Sequence, residues 1–457
     1  MRKFSIVLML TVLTTLALIL AACGGSNPST DDVRPQTQDG TNTIIENITA
    51  PEFVEEPENN DAHSAHMDDD ISYEYDQNIL RMPIAAGSVS SFAIQSDRSL
   101  WAWGSVVGIS EDLLEPIRVT DGVISVSAGS SHVAAIKTDG SLWVWGGNTA
   151  GQIGDGTRTI LGERDPGVLF GPIPVIENND RYSPVRIMDN VIAMSLGGHH
   201  TMAITSDGSL WAWGSNHEGS LGDGTATITE REEVSSGNSR TVVIEDNNRL
   251  SPLKIMDNVA YVSAGSNHTM AITEDGSLWA WGSNSSGQLG DGTTENRHSP
   301  MLIMEDVIAV SAGSRHTAAI KSDNSLWVWG LNMPGTFGIV TDELVNPYPI
   351  KVMENVKFVS AGSDLTKAIT SDSTLWVSGH NQQGQLGLGD TEALRDSFTK
   401  VKESVASIST GPSHSIAVST DGRLWTWGAN WNGRLGDGTE EHRSLPVQVM
   451  DSIMMPN

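Results

Sequence analysis

Short apolar segments bounded by Gly, Asp, Asn or Ser recur from about residue 81 to the C-terminus. The most regular segment reads Leu-Trp-Val/Ala-Trp-Gly, with one variant that carries Thr426 in the middle and one that carries Ser378 in place of the second Trp. Its seven copies begin at Leu100, Leu142, Leu210, Leu278, Leu326, Leu375 and Leu424. They hold all but one of the 14 Trp residues, the exception being Trp431. A residue type concentrated at one repeated position serves one repeated packing role, so the pattern predicts a repeat protein.

The copies are separated by 42, 68, 68, 48, 49 and 49 residues, which sets the basic period near 48. Each unit reads as a Pro-led segment such as residues 299–304, a small-residue strand (307–313), a strand led by His316, and then the Leu-Trp strand. Four short strands in each unit are typical of a propeller blade. In the Leu-Trp strand the two Trp side chains point to one face and Leu and Ala or Val to the other, as expected for a sheet packed between two neighbours.

Asp-Gly pairs, with Asp323-Asn324 as a near equivalent, lie between the His-led strand and the Leu-Trp strand. They predict tight hairpin turns of the primed type. Pro-type segments begin near residues 115, 183, 251, 299, 348, 397 and 445, but none precedes Ala86. Residues 445–450 are therefore predicted to complete blade one, which would remove the open sheet edges of a seven-bladed, all-β propeller.

Residues 263–293 contain Ala-Gly-x-x-His-Thr, Asp-Gly, Trp-Gly and Gly-Gln-Leu-Gly in that order. This sequence resembles the regulator of chromosome condensation repeat, and the likeness extends over roughly residues 81–457. Blade one departs from the repeat with Ser90 for His and a lost Gly-Gln-Leu-Gly loop, and blade six departs with Leu365 for His and Ser378 for Trp.

The founding members of that family are nucleotide-exchange factors that bind chromatin, but a fold does not carry its function with it. The net charge of −29 argues against nucleic acid and anionic membrane surfaces as partners. Secreted bacterial propellers of this repeat type include one similar to a protein-inhibitor scaffold that caps β-lactamases. The resemblance therefore implies protein binding, with no partner identified.

The N-terminus carries Arg2 and Lys3, an apolar run over residues 6–20 and then Leu-Ala-Ala-Cys. This order is typical of an export signal, and its ending resembles the lipobox of bacterial lipoproteins. Residues 1–22 are expected to be a signal peptide, and Cys23, the single cysteine, to carry a lipid that holds the protein on the extracytoplasmic side of the cell membrane. A transmembrane anchor is the alternative, although the apolar run is short for a span.

Residues 23–80 are rich in Asp, Glu, Asn, Ser, Thr and Pro, and they predict an acidic, disordered tether. His63 and His66 stand close to residues 68–70, which are Asp, and could take up a divalent metal. We favour an acidic linker that happens to contain two His, because nothing fixes ligand geometry. The third region, residues 81–457, is the predicted propeller.

One His position recurs in five units, and we expect a structural role with the ring N–H bonded to a neighbouring backbone carbonyl. The repeated Gly-Asp-Gly-Thr segments predict turns and not calcium loops, because clustered carboxylates are missing. No cofactor or metal is expected, and the chain is predicted not to be an enzyme. Two alternatives stay open, a lyase or hydrolase with its site in the propeller channel, and a glycan-binding module for which Trp431 is the obvious aromatic.

The two long spacings place about twenty extra residues in consecutive units, at residues 158–180 and 226–249. Both insertions read as hairpins, around residues 165–167 and 235–239, and both follow the same point of the repeat. They are expected to emerge side by side on one rim, where a rigid scaffold commonly places recognition. The predicted partner-contacting residues are Arg164, Phe170, Glu230, Arg231, Glu232 and Arg240. The alternative is that the insertions are passive surface loops.

Overall fold

In the computed structural model, the structure describes residues 82–162, 175–235, 238–333, 335–341 and 343–456. These residues form seven four-stranded antiparallel sheets and two two-stranded ones. The first strand of each large sheet contacts the first strands of its two neighbours, and β1 (Ile84–Ala86) contacts β29 (Val405–Thr410) where the ring closes. The predicted seven-bladed, all-β propeller is confirmed.

Each blade consists of four strands in chain order. Blades one to three contain β1, β2 (Ser90–Ile94), β3 (Leu100–Gly104) and β4 (Leu113–Thr120), then β5 (Val123–Ala128), β6 (His132–Lys137), β7 (Leu142–Gly146) and β10 (Arg181–Met188), and then β11 (Val191–Leu196), β12 (His200–Thr205), β13 (Leu210–Gly214) and β16 (Arg249–Met256). The two-stranded sheets pair β8 (Ile160–Leu161) with β9 (Val175–Glu177) and β14 (Ile228–Ser235) with β15 (Asn238–Glu245).

Blades four and five contain β17 (Val259–Ala264), β18 (His268–Thr273), β19 (Leu278–Gly282) and β20 (Arg297–Met304), then β21 (Val307–Ala312), β22 (His316–Lys321), β23 (Leu326–Leu331) and β24 (Val345–Met353). Blades six and seven contain β25 (Val356–Ala361), β26 (Leu365–Thr370), β27 (Leu375–His380) and β28 (Leu394–Lys402), then β29, β30 (His414–Ser419), β31 (Leu424–Gly428) and β32 (Arg443–Met450). A short 3-10 helix, η1 (Trp431–Gly433), lies between β31 and β32.

The expected position of the Pro-led strand within the unit is wrong. It does not open a blade but follows the Leu-Trp strand as the outer strand of the same blade, so β4 completes blade one and β32 pairs with β31 in blade seven. The C-terminus still reaches blade one, through the residues after β32. Ile453 forms a bridge with Gln95, and the backbone N–H of Met454 donates to the carbonyl of Ile94 at 2.8 Å. The chain end therefore extends the inner strand of blade one and locks the ring.

The Asp-Gly segments form hairpin turns, but not of the primed type. In blade two the N–H of Gly140 donates to the carbonyl of Lys137 at 2.9 Å, and Gly140 alone in the turn has a positive φ, of 77°. A primed turn of type I′ would need positive φ at two successive residues. The geometry is that of a three-residue loop in which the last residue is left-handed. Asn324 and Ser373 take the same conformation in blades five and six.

The second Trp of the Leu-Trp strand packs against the preceding blade, as its strand position predicts. Trp281 is fully buried, and its Nε1 donates to the carbonyl of Ser220 at 3.0 Å. A Cβ at Gly222 would lie 2.7 Å from the same indole nitrogen, so this loop position requires glycine. Equivalent bonds join Trp103 to Arg434, Trp213 to Gln152, Trp329 to Gln288 and Trp427 to Gln385. Burial of each large ring stabilises a blade interface by roughly 1.5–3 kcal/mol.

Residues 1–22, expected to be a signal peptide, and residues 23–80, expected to be an acidic tether beginning at Cys23, lie outside the described residues. Among the residues that the structure describes, no helix has the length and apolar character needed to cross a membrane.

Candidate protein-binding surface

Two insertions interrupt blades two and three between their third and fourth strands. In blade three, β14 and β15 form an antiparallel hairpin whose turn lies between Ser235 and Asn238. In blade two, β8 and β9 pair through Ile160 with Glu177, and residues 163–174 lie outside the described part of the chain. The predicted hairpin is confirmed for the second insertion, although strand pairing extends to Ser235 and Asn238 and so further than expected. For the first insertion it is confirmed at the base.

A matching hydrogen bond closes the base of each hairpin. The Thr159 hydroxyl donates to Asp180 Oδ1 at 2.6 Å, and the Thr227 hydroxyl donates to Asn248 Oδ1 at 3.0 Å. In each case a residue at the start of the insertion is tied to one at its end. Asp180 and Asn248 also accept hydrogen bonds from the backbone N–H groups of Asn148 and Asn216, both at 2.8 Å, so the base of each hairpin is held to the strand before it.

An ion pair joins the two insertions. Arg158, at the start of the first, pairs with Asp246, at the end of the second. Both side chains are about one-third exposed, and such pairs contribute roughly 0–1 kcal/mol. Its importance is geometric, because it shows that the bases of the insertions lie side by side on one rim, as predicted.

The hairpins expose several aliphatic side chains. Those in the described strands have 41% to 72% of their surface accessible, and they are Ile160, Leu161, Val175, Ile176, Ile228 and Val243. We call these six residues the hairpin patch. Single exposed aliphatic residues are normal, whereas a contiguous group marks an interaction surface, and these six are a candidate for one because they lie on the two paired hairpins.

The predicted contact residues divide between described and undescribed positions. Glu230, Arg231 and Glu232 lie on β14 and Arg240 lies on β15, where the register places Glu232 opposite Arg240. Arg164 and Phe170 lie outside the described residues. The structure therefore brings four of the six onto one hairpin, and their contact with a partner stays a prediction.

Comparison with known proteins shows the family. Residues 170–455, more than half of the chain, match the RCC1-like domain, and residues 123–152 match the regulator of chromosome condensation (RCC1) repeat. The chain belongs to the RCC1-like domain family.

Individual relatives of this RCC1-like propeller match over shorter stretches. Human Protein RCC2 is 37% identical over 93 residues, which is 20% of this chain and 15% of that protein. The mouse regulator of chromosome condensation is 31% identical over 132 residues, or 28% of this chain and 27% of that protein. The matches span little more than a quarter of these relatives' length at most. They therefore show a shared repeat and do not show a shared activity of the whole protein.

Solved structures agree on the fold. Yeast RCC1 (Prp20) bound to Kap60 is similar with a TM-score of 0.63 and 18% identity, covering 88% of this chain and 92% of that one. Human WBSCR16 is similar with a TM-score of 0.55 and 21% identity, covering 74% of this chain and 85% of that one. At these identities the likeness concerns the fold alone.

The channel of the RCC1-like propeller is lined by small and apolar residues of the inner strands. One mouth consists of Ala-Gly-Ser segments and their equivalents from all seven blades, and the lining below it is apolar or hydroxyl-bearing. Tyr261 is the titratable side chain there, and burial raises its pKa to about 12. Among the described lining residues there is no carboxylate or imidazole.

The repeated histidines are structural, but the expected backbone acceptor is wrong. Each imidazole Nε2 lies 2.9–3.1 Å from a Thr or Ser hydroxyl of the next blade. The hydroxyl then donates to a backbone carbonyl, so the imidazole N–H donates to the hydroxyl oxygen. The five histidines are His132, His200, His268, His316 and His414. Sequence reasoning missed the hydroxyl although a Thr or Ser follows most of these histidines, because the bond crosses to the next blade.

Burial makes these imidazoles resist protonation. It lowers the pKa of His132, His268 and His414 to about 3 and that of His200 and His316 to about 4. Neighbouring imidazoles add a smaller repulsion in His132, His200 and His268. Within the described residues, no group of three His, Cys, Asp or Glu is placed to hold a metal.

The Gly-Asp-Gly-Thr segments are turns, as predicted. Asp291 Oδ1 accepts hydrogen bonds from the N–H and the hydroxyl of Thr293, at 3.0 and 2.8 Å. Its Oδ2 accepts one from Arg297 Nε at 2.7 Å. Burial would raise the pKa of Asp291, but these hydrogen bonds outweigh it and the pKa is lowered. The arginine, which opens the fourth strand of several blades, was not singled out from the sequence.

Blade six contains a buried lysine that sequence reasoning also missed. Lys367 has no accessible surface, donates to the hydroxyl of Ser415, and lies 5.3 Å from the centre of the Trp427 ring. Leu365 occupies the histidine position of this blade, so Lys367 contacts the hydroxyl that a histidine reaches elsewhere. Burial holds the pKa of Lys367 well below its usual value. The sequence does contain an indication of it, because the equivalent residue in blade four is the apolar Met270, so a lysine here occupies a position expected to be buried.

Proposed function

We propose that this RCC1-like propeller is a protein-binding scaffold that contacts its partner through the paired hairpins of blades two and three. The observation that carries the proposal is the hairpin patch, in which six aliphatic side chains on fixed, adjacent strands are exposed to solvent. Rigid placement lowers the entropy that is lost when a partner binds. Glu230, Arg231, Glu232 and Arg240, together with Arg164 and Phe170 of the first insertion, would supply the polar rim and further anchors.

Relatives with the same fold support binding as the class of function. Yeast RCC1 was solved in complex with Kap60, and Prp20p of Saccharomyces cerevisiae was studied for binding to Gsp1p and histones. Those partners belong to those proteins. The net charge of −29 disfavours nucleic acid here, because phosphate backbones require clustered cations.

We further propose that the scaffold works outside the cytoplasm, held to the membrane by a lipid on Cys23. The basic start, apolar run and Leu-Ala-Ala-Cys ending of the signal support this location. The acidic residues 23–80 would then act as a tether that keeps the propeller away from the membrane surface. A partner protein in the envelope or the extracellular space follows from this location.

An enzyme with its site in the channel is the alternative function. Converging carboxylates or imidazoles would favour it, and the described lining residues offer none. A probable E3 ubiquitin-protein ligase, human HERC6, is 32% identical over 141 residues, but these make up 11% of that protein. The hairpin patch is therefore the stronger guide to function.

The test is capture of envelope proteins by residues 81–457 in intact and shortened form. In the shortened variant, residues 158–180 and 226–249 are cut back to the length of the blade-four connection. We expect the variant to fold with an unchanged melting profile and to lose the captured protein. A second variant keeps both hairpins but replaces Ile160, Leu161, Val175 and Ile176 with Ser, and it should lose capture as well.

The matched control is Leu445→Ser, which removes an exposed aliphatic side chain from blade seven and should leave capture intact. If the shortened propeller folds and captures the same proteins as the intact one, the hairpins are passive elaborations. Capture that depends equally on Leu445 would also contradict the assignment.

A further inference from the structure

Trp431 differs from every other tryptophan of the chain. The other thirteen are buried or half-buried in the Leu-Trp strands, where they pack one blade against another. Trp431 lies in the connection between β31 and β32, with 48% of its surface accessible. With about half of its surface in solvent, this indole buries less apolar area than the other thirteen, and its position does not belong to the repeated blade packing.

The backbone around Trp431 is fixed against blade one. Asn432, the middle residue of η1, has a positive φ of 66°, and its side-chain amide donates to Asp112 Oδ2 at 2.7 Å. A Cβ at Gly433 would lie 2.6 Å from the Leu114 side chain, so the turn sits directly on β4. The indole therefore projects from a turn in which the next two residues, Asn432 and Gly433, are held against blade one.

The ring itself is held by two basic side chains. The guanidinium of Arg434 lies 5.5 Å from the ring centroid, and its Nε donates to the carbonyl of Trp431 at 2.9 Å. The imidazole of His442 meets the indole edge to face, with centroids 4.8 Å apart and an interplanar angle of 87°. His442 Nδ1 accepts a hydrogen bond from the N–H of Asn430 at 2.9 Å, so a neutral His442 carries its proton on Nε2. Trp431 is thus a pre-oriented aromatic surface with a hydrogen-bond donor beside it.

The surroundings of Trp431 are polar and carry charges of both signs. Asp112 and Glu441 flank the turn, Arg443 pairs with Glu441, and the partly exposed Leu114 lies against Gly433. A protein hot spot has a largely apolar core, and charges of both signs around one ring do not favour a ligand of a single charge. A pyranose ring fits both features, because its C–H face packs on an indole while its hydroxyls reach carboxylate, amide and imidazole groups at the ring edge.

We propose that Trp431 is the stacking platform of a binding site for a neutral glycan, at the junction of blades seven and one. Arg434 and His442 are positioning residues that fix the indole. Asp112, Asn432 and His442 Nε2 supply hydrogen bonds to sugar hydroxyls. The site is separate from the hairpin patch, so the proposal goes beyond the function proposed above.

The experiment is titration of residues 81–457 with neutral hexasaccharides of glucose, N-acetylglucosamine and mannose, followed by calorimetry and by iodide quenching of tryptophan fluorescence. We expect at least one of these sugars to bind and to protect the most quenchable tryptophan. Trp431→Ala should weaken that binding by roughly ten-fold or more. Trp431→Phe should retain part of it, and the exposed control Tyr348→Ala in blade five should bind as the unchanged protein does.

Arg434→Gln tests the positioning role, because glutamine stands at this loop position in blades two, four and six as Gln152, Gln288 and Gln385. This variant should fold and bind more weakly while its titration keeps the same stoichiometry. Three outcomes would overturn the proposal: no binding of the three hexasaccharides to the intact propeller, equal binding by Trp431→Ala, or protection of Trp431 by a captured protein and not by sugar. The variant with shortened hairpins should bind sugar normally, which separates this test from that of the protein-binding surface.

Discussion

The Nε2 atom of His268 in blade four lies 3.1 Å from the hydroxyl oxygen of Thr317 in blade five. That hydroxyl donates to the carbonyl of Gln288 at 2.8 Å, and the indole of Trp329 donates to the same carbonyl at 2.9 Å. The Gln288 carbonyl of blade four thus accepts hydrogen bonds from two groups of blade five. One of these groups, the Thr317 hydroxyl, in turn accepts a hydrogen bond from His268 of blade four. Repeated around the ring, this pattern fixes the distance between blades in a way that apolar packing alone would not.

The first prediction concerns the coupling of His268 and Thr317. His268→Leu copies Leu365 of blade six, and Thr317→Val copies Val133 of blade two. Each single change should lower the free energy of unfolding by about 1–3 kcal/mol, since a buried donor or acceptor loses its partner. The double variant should lose clearly less than the sum, because both polar groups are then gone. Urea denaturation of the unchanged protein, the two single variants and the double variant gives the coupling energy. His298→Leu, at an exposed position, is the control. Strictly additive losses of unfolding free energy would contradict the coupling of the two side chains.

The second prediction is a loss of stability in mild acid. Burial lowers the pKa of His268 to about 3, whereas an unfolded histidine titrates near 6.5. The unfolded chain therefore binds protons first, so this contribution is complete above about pH 6.5 and is lost progressively as the pH falls towards 3. Between pH 7.5 and 4 the unchanged propeller should lose more unfolding free energy than the His268→Leu/Thr317→Val variant, by on the order of a few kcal/mol. Parallel pH curves for the two proteins would refute it.

Repetition explains why so much of the fold could be predicted from the sequence. Burial of the Leu-Trp strand could be predicted because Leu278 and Trp281 are apolar residues on opposite faces, as a strand between two sheets requires. The number of blades follows from the seven copies of this strand. The boundary of the blade was placed wrongly because a repeat has no marked beginning, and only strand pairing assigns residues 443–450 to blade seven. The hydroxyl acceptor of His268 was missed for a related reason, since its partner stands 49 residues away in the next unit.

The binding surfaces could be located only in part. The abnormal spacings predicted two adjacent hairpins, because equal positions in successive repeats must emerge on one rim. Single departures were harder to interpret. Leu365 and Ser378 could be recognised as departures from the repeat. The contact by which Lys367 replaces a histidine could not, because it depends on how Lys367, Ser415 and Trp427 pack between two blades.

The third prediction concerns processing of the N-terminus. If the Leu-Ala-Ala-Cys segment is cleaved as expected, mass spectrometry of the mature protein should find Cys23 as a lipid-modified first residue. Cys23→Ser should leave the signal uncleaved or release the protein from the membrane fraction. An unmodified Cys23 in the mature protein would show that this expectation is wrong.

The fourth prediction concerns closure of the ring by the residues after β32. Ile453 is 2% exposed and packs with Ile84 and Trp103 at the junction of blades seven and one. Ile453→Ala should therefore cost about 2–5 kcal/mol, as large-to-small changes in a core do. Removal of residues 452–457 should cost at least as much, although every strand remains. Thermal and urea denaturation measure both effects, with the exposed Ser452→Ala as control, and a truncated chain of unchanged stability would mean that the C-terminus does not lock the ring.

The fifth prediction concerns the amine of Lys367. Burial holds the pKa of this lysine well below its value in the unfolded chain, near 10.4. Between the lowered pKa and about pH 10.4 the unfolded chain binds a proton that the folded chain does not, so stability falls as the pH falls through this window and the penalty disappears above it. The groups around the amine are Ser415, the Trp427 ring and His414, whose own pKa of about 3 leaves it neutral near pH 7.

Lys367→Met, which restores the residue type of Met270 in blade four, should remove that penalty. The variant should be more stable than the unchanged propeller at pH 7, and the difference should shrink as the pH is raised to 10. Unfolding free energies measured in urea at pH 7, 8.5 and 10 give the comparison, with the exposed Lys357→Met as the control for loss of a surface charge. A difference that does not change with pH would mean that Lys367 is charged in the folded protein, with its ammonium group stabilised by the Trp427 ring.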